Sequence, residues 1–498
     1  MARLAGVNTT DIPDAIALAC RRMHRADVGD LHNGGRYLNA LLHAEDVLGI
    51  PVDEEYIDRL AGVMFDAYSG AVPLPASRPR ESTAPHPHIF DPHNTREGLH
   101  GLYALARYRS SGRALEVAEA AIAAVLDYWD PDGDWDGERL AAAGMELGYA
   151  QTYIRGAARA IGPLVKLYRA TGSAAALELA MILKEKAITE FFTSEGQFDG
   201  VRFGHHVHST TSTMSGLALL ADLTGDAGLL ARVQAFYDNG LWEVRDEVGW
   251  AIETIKPEDN PDSGETNSSG DILETALILG RWGRADCYQD AERILRCHLL
   301  PTQFRDTRFL VERAAPDKVE AVRRWADDLV GAYGFPAPYG HDPVANGLGV
   351  RFNLDVVGGT TDSLCYAASR MVASTPDGIR VNLLFDGDSD LARVESAYSG
   401  PVLSVTPRRP GPLWVRLPPW AGGGRIQIIG GGPSVPSGGY IFFAQPPVNR
   451  PIRITYPLAD GDAVLDHRSR QIRVRFRGDA VAAMDDFGQD LTFFAPIA

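Results

Sequence analysis

Residues 91–112 read DPHNTREGLHGLYALARYRSSG. A polar lead-in from Asp91 to Glu97 opens into a run with Leu99, Leu102 and Leu105 on one helical face, and a glycine follows. Four other stretches share this layout: HNGGRYLNALLHAEDVLG (32–49), YIRGAARAIGPLVKLYRATG (153–172), HSTTSTMSGLALLADLTG (208–225) and GETNSSGDILETALILGRWG (264–283). Their closing glycines, Gly49, Gly112, Gly172, Gly225 and Gly283, are spaced by 63, 60, 53 and 58 residues. Glycine after a helix accepts the left-handed C-cap, and a second Ala/Leu-rich helix follows each one. Each unit therefore reads as a helical hairpin.

A sixth inner helix, SLCYAASRMVAS (Ser363–Ser374), has no helix after it. An isolated N-terminal helix at about residues 12–25 carries Ile12, Ala15, Ile16, Ala19, Cys20 and Met23 on one face and supplies the missing partner. Six hairpins joined in this way predict a closed (α/α)6 barrel. Beyond it, GIRVNLLF, PVLSVTP, GPLWVRLPPWA, GRIQIIGG, GYIFFAQ and RPIRITYPL alternate between Gly/Pro turns, as an antiparallel β-sandwich does. The expected fold is mainly α with a β domain: a barrel over 1–375, which is the catalytic domain, and a sandwich over 376–498.

Composition narrows the function. The 498 residues hold 48 basic and 65 acidic side chains, a net charge of −17. Without a basic stripe, neither nucleic acid nor an anionic membrane is an expected partner. Four cysteines make neither a disulfide framework nor a CxxC pair, and the N-terminus does not read as a leader. This predicts a soluble, cytoplasmic protein. Its oligomeric state is open, a homodimer being one option.

The lead-ins gather at one end of such a barrel, where helix N-termini offer free N–H groups. They carry His32 and Asn33; Asp91, His93, Asn94 and Glu97; Glu146, Tyr149 and Tyr153; His205, His206 and His208; Glu265, Asn267 and Asp271; and Thr360 and Thr361. Singly, Asn33, Asn94, Ser209 and Asn267 read as N-caps, and Glu97 and Asp271 as first-turn acids. A helix start needs only one cap, whereas every lead-in is polar at the same phase, so a polar pocket accounts for them better. No P-loop, dinucleotide fingerprint, HExxH or GxSxG motif is present. Amides, carboxylates, imidazoles and aromatic faces suit a hydroxyl-rich ligand, and paired carboxylates suit glycosidic cleavage. A glycoside or oligosaccharide is the expected partner, without a cofactor.

FDPHNTREGLHGLYAL with its YRATG hairpin, GETNSSGDILETALI, VGGTTDSLCYAASRMVAS leading to DGIRVNLLF, and LWVRLPPWA resemble, in this order, segments of the (α/α)6-barrel β-L-arabinofuranosidase-like glycoside hydrolases of the family 127 type. The likeness spans roughly residues 90–470. It implies a glycosidase with an acid/base Glu at Glu253. In that family a Glu and three Cys hold zinc, and one Cys is the nucleophile. Here Glu265 falls on the metal-binding Glu, Asn267 on the first Cys, and Thr360–Thr361 on the Cys pair. With no thiolates there, neither zinc nor a cysteine nucleophile is expected. Chemistry then rests on carboxylates: Glu253, Glu265 as base, nucleophile or hydroxyl anchor, and Asp91 or Glu146 opposing. The substrate-binding set is His93, Asn94, Tyr149, Tyr153, His205, His206, His208, Asn267, Thr360 and Thr361.

A polysaccharide lyase is the alternative, with Tyr149 or Tyr153 and His205 or His208 as its base and Arg96, Arg155 or Arg202 clamping a uronate. A non-catalytic sugar binder is a third reading. Loops 73–90 and 256–264 read as covers over the pocket.

Overall fold

The computed structural model describes residues 11–77, 88–256, 262–312, 314–341, 353–400, 402–423, 426–468, 470–489 and 491–497. Residues 78–87 and 257–261, within the two stretches read as covers, lie outside the described residues. Six inner helices run Leu31–Leu48, Asn94–Tyr108, Ile161–Thr171, Val207–Thr224, Thr266–Arg281 and Leu354–Met371. Each packs on the next, and the sixth packs on the first, so the ring is closed. Their outer partners are Glu54–Ala67, Gly112–Tyr128, Ala174–Lys186, Ala227–Asp238, Ala285–Ile294 and, on the sixth inner helix, Ile12–His24. The fold is the expected (α/α)6 barrel followed by a β-sandwich.

Burial explains why the two rings differ in sequence. Ile12–His24 buries one stripe, Ile12, Ala15, Ile16, Ala19, Cys20 and Met23, as a surface helix does. The inner helix Val207–Thr224 buries every residue from Val207 to Ala221, because helices surround it and the barrel centre faces it. Its Thr211 and Ser215 hydrogen-bond Asp271 and Glu274 of the next inner helix. Gly49, Gly172 and Gly225 end inner helices with φ of 65°, 74° and 70°, the left-handed cap that glycine adopts without strain. Gly112 differs from the expectation. It opens an outer helix, and Ser110, at φ 50°, makes the turn.

The sixth inner helix begins at Leu354, well before the expected Ser363, and runs through Gly358 and Gly359. A Cβ on Gly358 would meet the Arg36 Cβ at 2.9 Å, and one on Gly359 would meet an Arg36 guanidinium nitrogen at 2.4 Å. The two glycines are there for close helix approach, not as helix breakers.

At Met371 the chain passes straight into a strand, Val372–Thr375. One five-stranded sheet runs in the order Ser434–Ser437, Tyr440–Phe443, Leu413–Arg416, Gly378–Val381, Val372–Thr375; the other runs Gln427–Ile429, Ile452–Thr455, Leu403–Pro407, Ala392–Glu395, Gly387–Asp388. Val381, Leu413, Val415 and Phe443 share a core with Val394, Leu403, Val405, Ile452 and Ile454. One pairing departs from the expected antiparallel pattern, since Leu413–Arg416 runs parallel to Gly378–Val381. The strands Asp460–His467, Arg470–Arg477 and Ala480–Met484 form a separate sheet whose Leu465, Ile472, Val474 and Met484 join the barrel core.

LWVRLPPWA is a clamp between the barrel and the sandwich. Buried Arg416 sits 2.8 Å from Glu292 of the barrel and donates to the Asn382 carbonyl at 2.6 Å, while Trp420 Nε1 donates to Asp479 at 2.9 Å.

Candidate active site

The inner helices begin unusually. Four of the six outer helices start under side-chain caps, from Asp11, Asp53, Ser111 and Asp226, and the first inner helix under Asp30. The N-cap residues of the second, fourth, fifth and sixth inner helices are His93, His206, Glu265 and Asn353, and none spends its side chain on capping. All four instead line one cavity of about 320 Å³ at the barrel mouth, with His32, Asp91, Asn94, Tyr149, Glu253, Phe335 and Asp355. The recurring polarity of the lead-ins is therefore a pocket lining.

Several expected residues meet there. Asp91 accepts the His93 backbone N–H at 3.1 Å. His93 stacks on His32 with centroids 5.5 Å apart, and its edge meets His206 at 5.3 Å. His32 Nδ1 donates to Asn94 Oδ1 at 2.9 Å, and its Nε2 lies 3.4 Å from Asp355. Glu253 is tied to the hydroxyl of Ser263 at 3.1 Å. Asn267 lies just behind the lining and donates to Glu265 Oε1 at 3.0 Å. His208, fully inside, faces Glu265 at 3.4 Å through Nδ1 and Asp271 at 3.3 Å through Nε2.

Other expectations are corrected. Glu146 is on strand Met145–Leu147, exposed and off the cavity, because alternation along the strand turns it outward. Tyr153 packs flat against Trp129 and gives its hydroxyl to the Leu183 carbonyl behind the barrel wall. His205 is exposed and off the lining. Thr360 and Thr361 are buried between helices: Thr360 shares a 2.8 Å hydrogen bond with Thr266, and Thr361 donates to the Val357 carbonyl at 2.6 Å.

Asp355, Asn353 and Phe335 were missed. Placing the sixth helix start at the true position would have exposed Asp355 as its first-turn acid. Phe335 has no sequence signal beyond being aromatic.

Beneath the cavity lies an ion network. Glu97, read as a first-turn acid, is fully buried among Arg36 at 2.9 Å, Arg159 at 2.8 Å and Arg96 at 3.3 Å. Arg96 also reaches Asp271 at 3.3 Å, and Arg36 reaches Asp355 at 3.8 Å. Burial opposes charge on Glu97, yet Arg159 and Arg36 outweigh it and hold the carboxyl well below the usual range. Burial likewise works against Asp355, and His32 and Arg36 reverse it, so Asp355 is held ionised. Burial is overcome in the same way at His32, which Glu97 and Asp355 hold in its charged form. Glu265 goes the other way, since burial, then Asp355 and Glu253, push it up to about 8. Burial, then Arg159, brings His206 down to about 3, and burial takes His93 and His208 well below their ordinary value.

Loop and sheet contacts fix the acid-bearing segment. Trp250 Nε1 donates to the Pro336 carbonyl at 2.8 Å, and His467 from the C-terminal sheet packs on Trp250 at 4.6 Å while holding Asp262 at 2.9 Å. Tyr339 donates to the same Asp262 at 2.9 Å.

No family model and no curated protein matches the chain. Solved structures do. A GH127 β-arabinofuranosidase is 14% identical with a TM-score of 0.59, over 94% of this chain and 78% of its own. The chain has the fold of the GH127 β-arabinofuranosidases. A GH127 β-L-arabinofuranosidase from Geobacillus stearothermophilus T6 is 14% identical at TM-score 0.55, over 94% of this chain and 80% of its own. A further glycoside hydrolase is 12% identical at TM-score 0.57, over 96% of this chain and 85% of its own. At these identities the likeness is one of architecture, and it spans barrel and sandwich together.

The thiolate zinc site that the resemblance implies does not fit this chain. Asn267 is engaged with Glu265, Thr360 with Thr266, and Thr361 with its own helix. Cys365 is buried. Among the described residues, the donors that come together are His206, His208 and Glu265, whose ligating atoms all lie within 4.8 Å of one another. The sequence reading missed this set. Its signal was the His-x-His spacing at a helix start opposite the GET segment.

Proposed function

We propose that the chain is a glycoside hydrolase that releases a terminal sugar in the cavity at the barrel mouth. One observation carries this: Glu253 and Asp355 line the same open polar cavity, and both are near enough to raise Glu265. Its size, about 320 Å³, is at the small end of ligand pockets and takes one or two sugar rings. The shared architecture with GH127 arabinofuranosidases supports a furanoside substrate.

In this reading Glu253, the position of the resembled acid/base, protonates the departing glycosidic oxygen as its bond to the anomeric carbon breaks. Asp355, kept ionised by His32 and Arg36, either adds to the anomeric carbon or takes a proton from the attacking water. A separation of about 5–5.5 Å between the reacting carboxyls gives retention and about 6.5–9.5 Å gives inversion. His93, Asn94 and Asn353 supply hydrogen-bonding groups for ring hydroxyls, and Tyr149 and Phe335 supply aromatic faces. The carboxylate-rich lining disfavours a uronate. Arg96 is already shared between Glu97 and Asp271, Arg202 pairs with Asp199 at 3.4 Å, and Arg155 sits over the Tyr149 ring.

A panel of aryl glycosides including both arabinofuranoside anomers tests this. Glu253→Gln and Asp355→Asn are each expected to lower kcat by roughly 10²–10⁴-fold, as expected for lost acid, base or nucleophilic assistance. Wild-type-like turnover in either variant contradicts the assignment.

A further inference from the structure

The structure assigns His206, His208 and Glu265 as the ligands of a divalent cation of the zinc class, a donor set distinct from the thiolate site of the resembled family. His208 Nδ1 lies 3.4 Å from Glu265 Oε1, and His206 Nε2 lies 4.0 Å from Glu265 Oε2. One ligand atom from each residue, all within 4.8 Å of one another, can converge on one ion at ordinary metal–ligand lengths after small side-chain shifts. Two imidazoles and one carboxylate form a set that zinc takes in open, three-ligand sites, and the imidazoles select against magnesium and calcium.

The residues behind the triad strengthen this assignment. A metal-binding imidazole is ordinarily oriented through its second nitrogen, and such supports matter nearly as much as the ligands. Here His206 Nδ1 bonds the Ser209 hydroxyl at 2.8 Å, and His208 Nε2 faces Asp271 at 3.3 Å. The Glu265 carboxylate is steadied by Asn267 at 3.0 Å. His206 and Glu265 thus each have a hydrogen-bonded support, and His208 Nε2 has a carboxylate facing it.

His206 and Glu265 line the cavity while His208 does not, so the ion would sit in the floor with its free side toward the ligand space.

The test measures metal alone, on the full chain, and so stands apart from the hydrolase reading. After zinc loading and exhaustive dialysis, elemental analysis should give one zinc per chain. Cobalt loading should give the visible d–d bands of a four- or five-coordinate ion. His206→Ala and Glu265→Gln should each weaken zinc binding by at least about 100-fold, and Asp271→Asn by about 10–100-fold. His205→Ala, one residue from the triad and outside it, should bind as wild type does. Circular dichroism confirms folding, and His206, which is partly exposed, is the substitution the fold tolerates best. Dialysable metal, or zinc retained equally by the folded His206→Ala and Glu265→Gln variants, overturns the assignment.

Discussion

Thr360 stands where the resembled enzymes place a cysteine, yet its hydroxyl is hydrogen-bonded to Thr266 inside the helix packing and does not reach the cavity. Thr360→Val should therefore cost about 1–2 kcal/mol of stability by leaving the Thr266 hydroxyl only its longer bond to the Gly334 carbonyl. Turnover of an aryl glycoside should be unchanged, as steady-state kinetics beside a thermal melt will show. Asp246 carries a pH effect. It shapes the turn before Trp250 by accepting the Val248 and Trp250 N–H groups at 3.0 and 3.1 Å. Burial, against the pull of Arg245, pushes its carboxyl from 3.8 up to about 7. A raised carboxyl binds its proton more tightly in the folded state. Its contribution is thus full below about pH 4 and is lost as pH rises through 7. Asp246→Asn keeps the acceptor and should stabilise the protein at pH 8 by roughly 1–3 kcal/mol, with little gain at pH 4. Denaturant melts at both pH values check this. At this scale His32, His93, His206, Asp91 and Glu265 were legible as lining, because a polar residue recurred where one cap would have sufficed, whereas Glu253 came only from the family resemblance. Glu146 and Tyr153 were misplaced because sequence does not show which way a short strand or turn points.

Among the elements, the sixth inner helix is the instructive case. The helix was expected to start at Ser363, so Asp355 went unnoticed. Gly358 and Gly359 answer to the two neighbouring inner helices, with Arg36 against both and Asn267 against Gly359 where side chains would lie. Gly359→Ala should press on both, cost about 1–3 kcal/mol as overpacking does, and disturb the Arg36–Glu97 pair. Urea melts measure the cost, and a wild-type midpoint would contradict this role. The uncapped N-termini of four inner helices belong at this scale too. Propensity predicts that a helix starts there, and only the assembled ring shows that the cap side chain is turned elsewhere.

For the molecule as a whole, ring closure was the part most fully legible. An unpaired helix at each end of the repeat implied that they meet, and Ile12–His24 does pack on the sixth inner helix. Ile16→Ala, at a fully buried position on that helix, should cost about 2–4 kcal/mol and lower the cooperative melting transition. A surface-like cost below about 0.5 kcal/mol would mean the helix does not close the ring. The C-terminal sheet from Asp460 to Met484 was not singled out in the sequence, which placed the whole stretch within the sandwich. Alternation shows that one face is buried but not which core receives it, and here it joins the barrel beside the segment that carries Glu253 and Glu265. The helices Ile12–His24 to Leu354–Met371 include none long and apolar enough to cross a membrane among the described residues.

The most direct measurement of the central claim is sugar release from the aryl glycoside panel by wild type, Asp355→Asn, Glu253→Gln and Thr360→Val side by side. Wild type and Thr360→Val should release saturated monosaccharide, and the two carboxylate variants almost none. An unsaturated product absorbing in the ultraviolet, loss of turnover in Thr360→Val, or no release from any glycoside would contradict the claim.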